Sequence, residues 1–275
     1  MEKTDSAFHC RRHSGIYAAC SDDILKYILG EKTMELKEMI YHRKSFRSYH
    51  SEEVDANTLR QIEDFIKNAK RLYPEEKLSW DIIGPEKIKC VLPWRAPHNI
   101  AIYAERNTDA LVNLGFVFQQ VDLYMQSIGL GTCWLGMGKI ANDAGEEFTD
   151  HSGMKCVMMI AFGKSDEAFR NDISEFKRKT LAEIADTADE RLEPARLAPS
   201  AVNSQPWYFV HEGNNVHTYC MDRFFRKQFL GDMNKMDVGI ALAQIYLENT
   251  ETFRYFTAEN APEVKANLYI GSFEI

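Results

Sequence analysis

The second half of the chain repeats the first, and no other feature restricts the fold as much. Arg71-Leu72-Tyr73-Pro74 followed by Trp80-Asp81-Ile82-Ile83 has its counterpart in Arg196-Leu197-Ala198-Pro199 followed by Trp207-Tyr208-Phe209-Val210. Asn113-Leu114-Gly115-Phe116 with Gln120 is matched by Asp237-Val238-Gly239-Ile240 with Gln244. Both matches run at an offset of 124 to 127 residues, so they describe one duplication. Two copies of a unit in one chain usually pack about a pseudo-twofold axis, as the fused form of a symmetric dimer.

Periodicity fills in the copies. Leu59, Ile62, Ile66 and Ala69 give a helix over 57–70, and Trp80–Ile83 and Asn99–Ala104 read as strands. Thr108–Ile128 is the strongest helix, with Leu111, Leu114, Phe118, Val121, Met125 and Ile128 as a continuous apolar stripe. Gly115 within it admits another backbone, and Gly129-Leu130-Gly131 ends it. A strand follows at Lys155–Phe162, and Thr180–Arg191 reads as a polar helix.

Three stretches carry chemistry. Arg196–Trp207 reads R-L-A-P-S-A-V-N-S-Q-P-W, with Pro199 and Pro206 excluding both helix and central strand. Ser200, Asn203, Ser204 and Gln205 then stud a rigid loop, suited either to grip a flat polar ligand or simply to turn the chain. R-K-S-F-R at 43–47 places two arginines four apart around a serine. They either converge on one phosphate or form a solvated basic face. T-C-W-L-G-M-G at 132–138 is on its own a turn with a packed tryptophan.

Together these stretches resemble the nitroreductase family of FMN-dependent oxidoreductases, over Met34–Ile275. A-P-S-A-V-N-S-Q-P-W is similar to the family's A-P-S-x-x-N-x-Q-P-W, R-K-S-F-R to its R-R-S-x-R, and G-L-G-T-C-W-L-G to its stretch beneath the flavin ring. The resemblance implies an α+β, nitroreductase-like fold, with two degenerate copies of an α/β unit packed as a pseudo-dimer. It implies that Arg43, Lys44, Ser45 and Arg47 meet the phosphate and ribityl end of FMN. Gly136 and Met137 would then face the ring's hydride-accepting nitrogen, with Trp134 and Leu135 as the wall. Pro199, Ser200, Asn203 and Gln205 come from the other copy. For the family's late basic phosphate contact, E-F-K-R-K offers Lys177 and Arg178, of which Arg178 is preferred. Three charge-assisted hydrogen bonds at roughly 1.5–3 kcal/mol each are enough to decide micromolar retention, which needs about 8 kcal/mol.

The copies are degenerate in complementary ways. The first has the arginines and the glycine stretch, but E-E-K-L-S where the second has S-A-V-N-S-Q-P. The second has the loop, but Arg178-Lys179-Thr180 is followed by alanine at 182, and its helix leads into Y-L-E-N-T-E-T-F-R-Y-F. One composite site survives, so one FMN per chain is expected. The expected halves are residues 34–165 and 166–275.

Residues 1–33 form an extension with an amphipathic patch at Asp22–Leu29 and no signal-peptide layout. Cys10, His13 and Cys20 match no zinc module. The six cysteines, with no C-x-x-C pair, suit free thiols in a reducing cytosol. A net charge of -8 argues against nucleic-acid or acidic-membrane partners, and no apolar run approaches the roughly 18 residues of a membrane span.

The implied activity passes hydride from NADH or NADPH through FMN to a small electron-poor acceptor such as a nitroaromatic or quinone. No catalytic side chain and no metal are expected. The fused pseudo-dimer needs no second chain. A flavin-holding protein or a flavin-free scaffold is the alternative.

Overall fold

The structure, a computed structural model, describes residues 35–90, 95–141, 151–221 and 224–275. The expectations for residues 1–33 lie outside the described residues. In chain order the elements are α1 (Leu36–Met39), α2 (Ala56–Asn68), β1 (Leu78–Ile83), β2 (Ile88–Lys89), β3 (His98–Ala104), α3 (Thr108–Ser127), β4 (Gly131–Trp134), β5 (Lys139–Ile140) and β6 (Lys155–Gly163). They continue with α4 (Leu181–Ile184), α5 (Glu193–Leu197), β7 (Trp207–Glu212), β8 (Asn215–Met221), α6 (Phe224–Glu248), β9 (Arg254–Phe256) and β10 (Asn267–Glu274).

Two four-stranded sheets share one topology. One sheet has the order β1-β3-β6-β4 and the other β7-β8-β10-β9, every neighbouring pair antiparallel. In each, a long helix follows the second strand, and the last strand in sequence lies third in the sheet. A small ribbon of β2 and β5 belongs to the first copy.

The long helices α3 and α6 join the two sheets' cores. A Cβ built on Gly115 would lie 2.0 Å from the Met236 carbonyl oxygen, and one on Gly239 would lie 2.0 Å from that of Val112. Each glycine therefore admits the other helix's backbone, and the contacts are reciprocal. Phe116 packs with Val238, Ile240, Trp207 and Phe209 in one buried cluster, so the helix of the first copy shares the core of the second.

Helix α3 starts where the Asn107 side chain accepts the Ala110 amide. It ends with Gly129 at φ +85°, where Gly129 N–H donates to Gln126 O and Leu130 N–H to Met125 O. The expected stripe is too narrow a description, since Ala110–Gln126 is buried on every face. Its polar side chains fasten neighbouring backbone instead. Asn113 accepts the amides of Leu72 and Tyr73. Gln120 bonds both ways with the Lys70 backbone, and Gln126 with that of Lys44.

The expected polar helix over 180–191 is a correction. Only Leu181–Ile184 is α-helical there, with a capping box between Thr180 and Glu183. The chain then turns extended at Ala185, which bridges to Phe209, and Asp186 N–H donates to Phe209 O. Pairing beside β7 wins over local helix propensity.

Candidate functional site

The R-K-S-F-R segment lies along β4. Phe46 N–H donates to Thr132 O at 2.8 Å, and a Cβ on Gly131 would strike the Phe46 ring. Arginine segment and glycine stretch, far apart in sequence, are thus adjacent. Arg43 and Arg47 are close enough to Cys133 for their charges to act on its thiol, although burial dominates and pushes that thiol up to about 11.

Arg43 is only 1% exposed. Its Nε lies 3.2 Å from Asp122 Oδ2, and its Nη2 is buried without a hydrogen-bond partner. Asp122, on α3, also accepts from Thr132 Oγ1 at 2.5 Å and Gln119 Nε2 at 3.3 Å. One edge of the guanidinium is therefore anchored by a buried carboxylate while Nη2 remains unspent. A buried donor without a partner is available to an acceptor.

Around Arg43 gather other cations. Arg170 donates from Nη1 to the Arg43 carbonyl, and its own amide donates to His42 O. The guanidinium of Arg170 lies 4.2 Å above the Phe176 ring and that of Arg178 lies 5.8 Å from it. Burial, then the charges of Arg43, Arg170 and Arg196, push Arg178 down to about 9. Burial and then Arg43 push Arg170 down to about 10. Both groups remain cationic at neutral pH, held in a place that disfavours their charge. Such a cluster can hold an anion.

Arg178 also connects this cluster to the proline-flanked loop. Its Nη1 donates to Asn203 Oδ1 at 2.6 Å and its Nε to Leu197 O at 3.3 Å. Asn203 Nδ2 donates to Lys177 O, Gln205 Oε1 accepts the Lys179 amide, and Ser200 Oγ accepts the Gln205 amide. Between the prolines runs one 3₁₀ turn, Ala201–Asn203. Val202, Asn203 and Gln205 stand at φ +47°, +54° and +47°, a run of left-handed residues without a glycine. Each such residue stores on the order of 1–3 kcal/mol, a pattern concentrated at binding sites. Asp237 on α6 holds the loop by accepting the Ala201 amide with both oxygens at 3.1 Å. It stands where Asn113 stands in the first copy.

The loop lines a cavity of about 470 Å³ together with Lys179, Met221 and Asn234. Two of its walls carry buried polar atoms with no partner, Ser204 Oγ and Asn234 Oδ1. Size and polarity suit a small ligand. Asn203 belongs to both regions, facing the cavity and bonding Arg178.

Other expected residues fall as follows. Lys44 pairs with Glu167 at 2.9 Å, and the same carboxylate accepts the amides of Arg47 and Ser48. Burial pushes Glu167 up, but Lys44 and those amides outweigh it and hold it below the usual carboxylate range. Arg47 is exposed and Ser45 half-buried on the same segment. Leu135 is buried and donates its amide to Met159 O, Trp134 is half-buried against the second copy's core, and Pro199 is buried. Gly136 approaches Met233, the neighbour of Asn234, while Met137 is 59% exposed. The glycine stretch meets the arginines directly but is not in the wall of the loop cavity. Sequence reading missed Asp122, which lies on the same helix beside the apolar stripe, and Arg170, which belongs to no motif. It also missed Asn234, whose orphaned oxygen only the packing reveals.

Among the described residues no helix is long and apolar enough to cross a membrane, and no cluster of His, Cys, Asp and Glu is arranged to hold a metal.

No protein of curated function matches the chain. The crystal structure of a protein from Thermotoga maritima MSB8 described as a "putative nitroreductase" is similar in fold, at 21% identity and a TM-score of 0.59, covering 90% of this chain and 96% of that one. A nitroreductase family protein from Clostridium difficile 630 gives 16% identity and a TM-score of 0.44, covering 55% of this chain and 96% of that one. A nitroreductase with bound FMN from Desulfitobacterium hafniense DCB-2 gives 15% and 0.40, covering 49% and 92%. Residues 35–249 match the family described as "Putative TM nitroreductase", which takes in both long helices, the arginine segment and the loop. The chain belongs to the nitroreductase family.

Proposed function

We propose that the protein is a flavin oxidoreductase that binds one FMN per chain in a site composed from both copies. The observation that carries this reading is the convergence of Arg43, Arg170 and Arg178, with Arg178 bonded to the loop residue Asn203. The residues fit the group. Arg43 Nη2 is a buried donor without a partner, and the cationic cluster around it suits a phosphate. Ser204, Gln205 and Asn234 line the adjoining cavity, whose size and polarity suit a flat heterocycle.

When bound, the flavin supplies the redox chemistry, taking a hydride from reduced nicotinamide and passing it to an electron-poor acceptor. The chain's own residues bind and orient. Asp122 fixes the Arg43 guanidinium through Nε, and Nη2 has no partner of its own. Phe176 holds Arg170 and Arg178 by cation–π contact despite their mutual repulsion. Asp237 and Lys179 clamp the strained loop, so Asn203 and Gln205 keep their positions without ligand. Such preorganisation lowers the entropic cost of binding.

The two sheets of one topology and the reciprocal glycine contacts support reading residues 34–165 and 166–275 as fused subunits. NADH or NADPH as donor, and a nitroaromatic or quinone as acceptor, belong to the same proposal. Anaerobic titration of the FMN-loaded protein with each nicotinamide tests it. Bleaching of the yellow band, restored by a quinone, is expected; a band that neither nicotinamide bleaches would leave a flavin-holding protein.

A further inference from the structure

The first copy's version of the loop has been rebuilt into a different set of side chains. Ser79 and Asp81 lie two residues apart on β1 and so share a face of the strand. Between them stands the His151 ring, with Nδ1 at 2.7 Å from Ser79 Oγ and Nε2 at 2.7 Å from Asp81 Oδ2. A carboxylate only accepts, so Nε2 carries a proton, and in the neutral ring Nδ1 is then the acceptor facing the Ser79 hydroxyl. The ring is stacked on Tyr103 at 3.6 Å between centroids and 14° between planes, and is only 8% exposed. Its plane is therefore fixed. Ser79 and His151 both line a cavity of about 380 Å³ that also presents Arg71 and Lys77. In the second copy the matching positions are Pro206 and Tyr208, neither of which can play these parts.

We propose that Ser79, His151 and Asp81 form a second, hydrolytic site that transfers the acyl group of small activated esters to water. A hydroxyl, a base bonded to it and a carboxylate orienting the base are the geometric signature of an activated nucleophile, whatever the fold. Ser79 Oγ forms a bond to the acyl carbon while His151 Nδ1 takes the hydroxyl proton. The ester C–O bond breaks, and the proton goes to the leaving oxygen. Water, giving its proton to His151, then displaces the acyl group, releasing a carboxylic acid and returning the proton to Ser79. No oxidant or reductant enters. The cavity is lined by the cations Arg71 and Lys77 and by the carboxylates Glu75 and Glu76. The cavity admits short acyl chains.

This site shares no residue with the arginine cluster or the loop, so its failure would leave the flavin reading untouched. The test uses the full chain with whatever flavin it carries. It is treated with a fluorophosphonate probe and with p-nitrophenyl acetate, and flavin content is recorded alongside. One adduct per chain on the peptide holding Ser79 is expected, abolished in Ser79→Ala. Asp81→Asn and His151→Gln should each slow p-nitrophenolate release by roughly 100-fold or more. Ser79→Ala removes one half-buried hydroxyl and keeps the fold, so it carries the test if the histidine variant does not fold. No adduct, an adduct elsewhere, or unchanged hydrolysis in Ser79→Ala would overturn the proposal.

Discussion

Gly115 and Gly239 occupy equivalent places on the two long helices, and each leaves room for the other helix's backbone. A methyl group at either position would come within 2.0 Å of a carbonyl oxygen, at Met236 or Val112. Backbone cannot swing aside as a side chain can.

Gly115→Ala and Gly239→Ala should therefore each destabilise the protein, despite alanine's advantage of about 1 kcal/mol in helix propensity. The expected loss is about 3 kcal/mol or more, at the upper end of overpacking effects. Because the contacts are reciprocal, the two should be similar in size. Urea unfolding of both variants checks this, and a neutral result for either would show that the helices do not cross there.

Arg43 has two roles that a double substitution separates. Arg43→Ala should weaken FMN binding at least tenfold, and leaves the buried Asp122 carboxylate without its cation, costing roughly 3–5 kcal/mol of stability. Adding Asp122→Asn should restore most of the stability and none of the affinity. Thermal unfolding and fluorescence titration with FMN report the two effects independently.

Arg178→Ala should act on the phosphate rather than the ring. FMN affinity is expected to fall at least tenfold, with riboflavin affinity changed much less, since riboflavin has no phosphate to lose. Equal losses for both would place Arg178 beside the ring.

The buried carboxyl of Asp237 is pushed up to about 8 by burial, against the pull of the Ala201 amide. Its unfolded value is about 3.9. Between these values the folded chain keeps a proton that the unfolded chain has released, so this group's contribution to stability falls as pH rises from about 4 to 8. Asp237→Asn removes that slope and retains an oxygen for the Ala201 amide, as Asn113 does for Leu72 and Tyr73. The variant should be more stable than the parent by more than about 1 kcal/mol at pH 8, with the gap closing toward pH 4. Denaturant unfolding at both pH values measures it.

Much of this was legible in the sequence because it depends on residue types with no substitute. The Gly115 and Gly239 contacts tolerate no Cβ, so the repeat survives where surface residues have drifted. Pro199 and Pro206 mark the loop because nothing else excludes helix and strand together. The rest depends on which groups burial brings together. Asp122 reads as one of several polar residues on a largely apolar helix until Arg43 is seen against it. Arg170 and Phe176 owe their importance to packing between segments whose spacing carries no period. Helical propensity over 180–191 is genuine, yet pairing with Phe209 overrides it after one turn.

The central claim is a single composite flavin site, and the flavin released by denaturing FMN-saturated protein tests it most directly. Quantified against chain concentration, the account predicts one FMN per chain, because only the first copy carries the R-K-S-F-R arginines and only the second carries the loop. Two per chain would contradict it by giving the mirror site a function, and none, even after saturation, would remove the flavin altogether.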